Sequence, residues 1–216
     1  MMTLGLETSE AWGGVALCQK RTGLGEVTLE EPLRHAEALL PALERLLAEC
    51  GVEKEGIELV SVNRGPGSFT GLRIGIATAK GLCQSLGVPL VGVEGTAAYR
   101  ARVAGEALVC VVIPCRLDLV YVQWFGRKGP RSEVRVMKRS ALLSRVRGEG
   151  RSLCVVGSGA EAIRQDLEGI PGVKVAEREA NRPSPEWVAR LGEEGYRKDE
   201  LYLLEPVYAD AGLAAP

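Results

Sequence analysis

The chain has 216 residues, 46% of them hydrophobic, which is enough for one large or two small cored domains and excludes a disordered chain. Lys plus Arg total 27 against 28 Asp plus Glu with no long basic run, so nucleic acid is a poor partner for this chain alone. Glu7 interrupts the first residues before a signal core can form and no later run is long enough to span a bilayer, so a cytoplasmic, non-membrane protein is expected.

From the N-terminus, alternation and apolar runs predict strands over 3–8, 14–19 and 25–30, then a helix over 34–50. That helix carries Leu39, Leu40, Leu43, Leu46 and Leu47 as a broad apolar stripe, and Pro41 is expected to kink or restart it. A buried strand over 57–62 runs into Arg64-Gly65-Pro66-Gly67-Ser68-Phe69-Thr70-Gly71-Leu72-Arg73-Ile74-Gly75, and helical spacing continues from Leu72 to Leu86. A strand over 89–93 and a helix over 96–103 complete a βββαβαβα order. The second half repeats that order: strands over 108–115, 120–125 and 133–138, a helix over 140–147, a strand over 153–157, a helix over 160–167, a strand over 173–176 and a helix over 185–198. The expected class is α/β, with two ribonuclease H-like lobes over 1–104 and 105–216. The segment 201–208 is apolar and extended in character and is expected to pack back on the body, with 209–216 fraying.

The turn from Arg64 to Gly75 narrows function most, because it joins a strand to a helix and is rich in glycine. It lacks the spacing and lysine of a Walker A loop, and Thr70 stands where a dinucleotide fingerprint needs its third glycine. Pro66 and Thr70 stand where a nucleophile elbow centred on Ser68 needs glycines. The residues do allow a rigid turn: Pro66 fixes a torsion, Gly65 and Gly67 permit positive φ, and Ser68 or Thr70 can cap the helix. Amides at that helix start could hold an anion. Gly71, Gly75 and Ala79 recur every four residues, leaving a bare face that lets another backbone approach, from the same domain or from a second chain.

Other groups carry weaker signals. Glu7, Thr8 and Ser9 follow the first strand, where actin-like and sugar-kinase folds place an acid and small hydroxyls that manage metal and phosphate. Gly157, Ser158 and Gly159 end a strand and open a helix, compatible with a further phosphate or adenine loop. Arg116 and Asp118 form a site pair or a surface ion pair. The six cysteines lie in apolar segments with no C-x-x-C pair, as reduced, buried thiols do. His35 is the single histidine, which leaves no zinc ligand set and a poor basis for a serine or zinc peptidase.

Taken together, these residues resemble the TsaB (YeaZ) family. The resemblance rests on Gly65 to Gly75 and extends to Arg34 to Pro41, Pro89 to Val93, Val156 to Gly159 and Glu205 to Tyr208. It implies a duplicated actin-like fold and a non-catalytic partner of the transferase TsaD, working with the ATPase TsaE in forming threonylcarbamoyladenosine in tRNA. It further implies that tRNA is met only through the complex, and that ATP or ADP, not tightly bound, sits at the complex interface. By the same resemblance, His35, Leu39, Leu43, Leu46, Gly71, Leu72, Gly75 and Ala79 are expected at the TsaD interface, and a homodimer through the same helices. Glu7 stands where the family usually has Asp, and Pro114 where it often has Asp, which argues against nucleotide hydrolysis by this chain alone. The competing expectation is an actin-like small-molecule kinase or ATPase using Glu7, Thr8, Ser9 and the Gly157 loop.

Overall fold

The computed structural model describes residues 1–30, 35–196 and 203–208, and of His35 the backbone only. The chain divides into two compact units, one holding Met1–Ala98 with Pro183–Val207 and the other holding Tyr99–Arg182.

Lobe one begins with β1 (Met2–Glu7), β2 (Gly13–Gln19) and β3 (Thr22–Leu29), followed by α1 (His35–Cys50), β4 (Leu59–Gly65), α2 (Phe69–Leu86) and β5 (Leu90–Glu94); α3 (Gly95–Ala101) starts in lobe one and ends in lobe two, the division falling after Ala98. Its sheet runs β3-β2-β1-β4-β5, antiparallel within the first three strands and parallel from β1 to β4 to β5. Residues 3 to 7 of β1 are all buried, not alternately so, because helices cover both sheet faces. On one face Leu4, Leu6, Val60 and Val62 meet Leu39, Leu43 and Leu46 of α1 and Ile76 and Ala79 of α2. Each such leucine contributes about 1.5–3 kcal/mol. Together they offset the roughly 3 kcal/mol cost of Pro41, which lies on the exposed side of an α1 that runs on unbroken.

The other face corrects an expectation. The helix placed at the end of the second half, α7 as its label becomes below (Pro185–Gly195), belongs to lobe one, where Val188 packs with Leu59, Val91 and Val93. Ser184 caps it by accepting from Trp187 N at 3.4 Å. Gly5 and Gly192 let it lie close to the sheet, since a Cβ on Gly5 would crowd Pro185 and Ala189, and one on Gly192 would overlap Ser61. Residue order tells that a helix is amphipathic, but not which sheet it covers. Its expected end at Lys198, the helix start at Arg34, Leu201 and Tyr202, and the fraying segment 209–216 lie outside the described residues. Within the tail, buried Leu204 joins the lobe-one core and Val207 N donates to Arg64 O at 2.7 Å.

Lobe two holds β6 (Leu108–Pro114), β7 (Leu119–Gly126), β8 (Gly129–Pro130), β9 (Arg135–Lys138), α4 (Arg139–Arg147), β10 (Leu153–Val156), α5 (Ser158–Ala162), α6 (Arg164–Glu168) and β11 (Val173–Val175). Its sheet order, β11-β10-β6-β7-β8 with β9 also on β7, is the lobe-one order read from the other end, with the third strand split in two. The helix expected over 160–167 is broken at Ile163, whose side chain is buried with Leu142, Val155 and Leu167. Both lobes are α/β on the same ribonuclease H-like plan.

Candidate docking surface

The turn from Arg64 to Gly75 is built on the end of β1. Glu7 is 1% exposed. Its Oε1 accepts from Ser9 N at 2.7 Å and from Ser9 Oγ at 2.6 Å. From the adjacent β4, Asn63, 2% exposed, donates through Nδ2 to Glu7 Oε2 at 2.6 Å and to Ser9 Oγ at 3.0 Å. Asn63 Oδ1 in turn accepts from Gly65 N at 2.8 Å. A buried carboxylate is tolerated only with such a set of donors. Ser68 N then donates to Ser9 O at 2.6 Å, and Ser68 Oγ caps α2 by accepting from Gly71 N at 3.2 Å. Thr8 Oγ1 donates to Gly71 O at 2.8 Å.

This network explains the glycines. A Cβ on Gly67 would overlap Ser9 O, one on Gly71 would overlap Thr8 O, and one on Gly75 would overlap Thr8 Oγ1 and lie 3.4 Å from Val62 Cγ2. The bare face of α2 therefore receives the lobe's own β1 turn. Gly71, Gly75 and Ala79 are buried, as are Leu72 and, on α1, Leu39, Leu43 and Leu46. Their expected contact with another chain is corrected: the core of lobe one already covers them. The His35 side chain lies outside the described residues.

The outward face of the same helices is what remains available. On α2, Thr70, Arg73, Ala77, Gly81 and Gln84 recur at three- and four-residue spacing and are exposed. Phe69 is 53% exposed, with the Arg73 guanidinium 3.7 Å from its ring centroid. Nothing lies within 4 Å of a Cβ placed on Gly81. On α1, Leu40 is 50% exposed beside exposed Pro41. Small residues stand in two registers of α2, 71-75-79 and 77-81. Periodicity reveals both, and only the strand beneath decides which faces inward.

The second glycine turn is also internal. Gly157, with φ 115°, donates its N–H to Asn181 Oδ1 at 2.9 Å, and a Cβ there would overlap Val112 O. A Cβ on Gly159 would lie 2.9 Å from Val112 Cγ1, while Ser158 is half-buried at the start of the five-residue α5. Asn181 Nδ2 donates to Glu161 Oε2 at 3.0 Å. Arg164, donating to Glu161 at 2.6 Å, holds that carboxyl below the usual range, helped by Asn181. Arg116 and Asp118 shape the β6–β7 turn through their carbonyls, which accept from Leu119 N and Arg139 N, both at 2.9 Å. All six cysteines are free thiols. Burial pushes Cys83 up to about 12 and Cys18 and Cys154 up to about 11, keeping them unreactive.

As a nucleotide site of its own, the Glu7 turn does not fit. Ser9 N, Ser9 Oγ and Ser68 N all donate within the turn, Thr8 Oγ1 donates to Gly71, and the Glu7 carboxylate is enclosed. Among the described residues no group of three or more His, Cys, Asp or Glu could hold a metal ion, and no helix is long and apolar enough to cross a membrane.

Known proteins resemble this chain in sequence and fold. The sequence profile of TsaD, tRNA N6-adenosine threonylcarbamoyltransferase, matches residues 24–129. The tRNA threonylcarbamoyladenosine biosynthesis protein TsaB of Bacillus subtilis is 26% identical over 215 residues, covering 96% of this chain and 93% of its own. The protein of that name from Escherichia coli is 29% identical, covering 82% and 81%. The structure of YeaZ from Pseudomonas aeruginosa superposes with a TM-score of 0.76 at 26% identity, covering 96% of this chain and 99% of its own. The chain is similar to TsaB (YeaZ) proteins over nearly its whole length. A more distant likeness, TM-score 0.57 at 10% identity over 90% of this chain and 95% of the other, is to the activator of 2-hydroxyisocaproyl-CoA dehydratase from Clostridium difficile with bound ADPNP. That likeness shows the actin-like fold alone.

Proposed function

We propose that this chain is a non-catalytic subunit of tRNA threonylcarbamoyladenosine biosynthesis in the cytoplasm, docking on a TsaD-type transferase through the outward faces of α1 and α2. The observation that carries the reading is the Glu7 turn. Its carboxylate, hydroxyls and neighbouring glycines all serve to brace α2, so the turn supports an exposed helix face and not a reaction. The end-to-end likeness to TsaB proteins supports the pathway. Phe69, Arg73, Ala77, Gly81 and Leu40 supply an aromatic anchor, a cation and small residues, the composition of a helix-on-helix contact. A TsaE-type ATPase is a further partner, a second copy of the chain competes for the same face, and ATP or ADP is shared at the boundary with the transferase.

Reconstitution tests this. Mixed with a cognate TsaD-type protein, the chain is expected to co-elute and to be required for threonylcarbamoyl transfer to tRNA. Independent elution together with undiminished transfer in its absence would overturn the proposal.

A further inference from the structure

The near-neutral total charge that argues against nucleic acid conceals a local imbalance. Between Arg127 and Arg151 nine Lys or Arg stand against two acids, a balance of +7 that leaves the rest of the chain at −8 against the total of −1. The structure spreads this segment across lobe two. β8 and β9 line the outer side of β7, and α4 then crosses from β9 to β10, on the far side of β6. Eight of the nine side chains are exposed, Arg139 being half-buried. Among the described residues none of the nine is ion-paired, whereas Arg164, Lys174 and Arg178 of the same lobe pair with Glu161, Glu168 or Glu106. The Arg145 guanidinium is held 4.9 Å from the Trp124 ring centroid. Beyond α4 a hollow of about 540 Å³ is walled by Arg147, Arg151 and Ser152, by the backbones of Gly150, Gly169 and Gly172, and by Ile170 and Pro171. Nothing lies within 4 Å of a Cβ placed on Gly150 or Gly169, so a ligand can approach the main chain there.

We infer that this basic face of lobe two contacts the phosphodiester backbone of tRNA. Unpaired guanidinium groups on a folded surface release counterions when they meet closely spaced phosphates, and Arg matches phosphate geometry through its fork of donors. A membrane-binding face would add apolar anchors among the cations. The exposed large hydrophobic residues, Leu24, Leu40, Phe69, Leu117, Leu203 and Tyr208, all lie outside 127–151. The contacts are to phosphate, so they position the RNA without reading its sequence. The choice of tRNA among polyanions rests on the function proposed above; the phosphate-binding face does not.

The test is fluorescence anisotropy of labelled, unmodified tRNA titrated with the isolated chain, and separately with the chain plus its TsaD-type partner, from about 50 to 200 mM salt. The isolated chain is expected to bind at roughly 1–100 µM with strong salt dependence. The triple variant Arg145→Glu, Arg147→Glu, Arg151→Glu is expected to weaken binding at least about tenfold and to flatten the slope of log K against log salt by about 2. Arg127→Gln with Lys128→Gln, a milder change that keeps the test decisive if the triple variant misfolds, is expected to cost about threefold. Lys54→Glu in lobe one is expected to change nothing. Unchanged affinity and slope in the first two variants, absence of binding at the lowest salt, or preference for vesicles of equal phosphatidylglycerol and phosphatidylcholine would overturn the inference. Loss of co-elution with the TsaD-type protein would instead defeat the function proposed above, leaving the isolated-chain result to stand.

Discussion

Each lobe carries a strand, a glycine turn and a helix start, and each turn is pinned by a buried asparagine whose Oδ1 accepts from a glycine N–H: Asn63 from Gly65 and Asn181 from Gly157. In each, glycines exist because neighbouring backbone lies against them, at Thr8 and Ser9 in lobe one and at Val112 in lobe two. The turns differ in what they hold up. In lobe one the acid is sealed and the turn launches an α2 of 18 residues with an exposed outer stripe. In lobe two the acid, Glu161, is partly exposed, shared by Arg164 and Arg178, and the helix ends after five residues. The contrast teaches that a glycine-rich strand-to-helix turn is first a packing device. Whether it also serves a partner depends on the length and outer face of the helix it starts.

The largest effect is expected from Gly75→Leu. The added side chain meets Thr8 and Val62, so lobe one is expected to lose at least about 3 kcal/mol in a urea melt. A variant that melts like the parent would return Gly75 to the surface and restore it as an interface residue. Next comes the pair Glu7→Ala and Glu161→Ala. Removing Glu7 takes the acceptor from Ser9 N, from Ser9 Oγ and from one N–H of Asn63, whose other N–H keeps Ser9 Oγ, and is expected to cost about 3 kcal/mol, while Glu161→Ala at its half-open site costs about 1 kcal/mol or less. Equal losses would erase the distinction between the turns. Steady ATP turnover by the isolated chain, abolished by Glu7→Ala in a protein that melts normally, would favour the ATPase alternative.

Much of the fold is legible in the order of elements, because hydrophobic period and turn residues act locally: β4, the turn and α2 follow directly from 57–86. The duplicated plan is legible too, since both sheets share one strand order. What the chain order hides is long-range. α7 covers the first sheet although it follows the second, and nothing local records the close approach of Gly5 and Gly192 that seats it. The docking face is half legible for the same reason. Gly71, Gly75 and Ala79 announce a close approach, but the approaching element, the Thr8 turn, is some sixty residues away in sequence. Leu40 sits inside a leucine stripe and reads as core, yet it is 50% exposed. The basic face of lobe two vanishes in a whole-chain charge count because acids elsewhere cancel it.

The central claim is that α2 meets its partner with the 73-77-81 stripe and its own lobe with the 71-75-79 stripe. Calorimetric titration of Ala77→Arg against a cognate TsaD-type protein tests it most directly, alongside a thermal melt of the variant. Stability within about 0.5 kcal/mol of the parent is expected, since Ala77 is exposed, together with association weakened at least about tenfold. Unchanged affinity in a stable variant would contradict it.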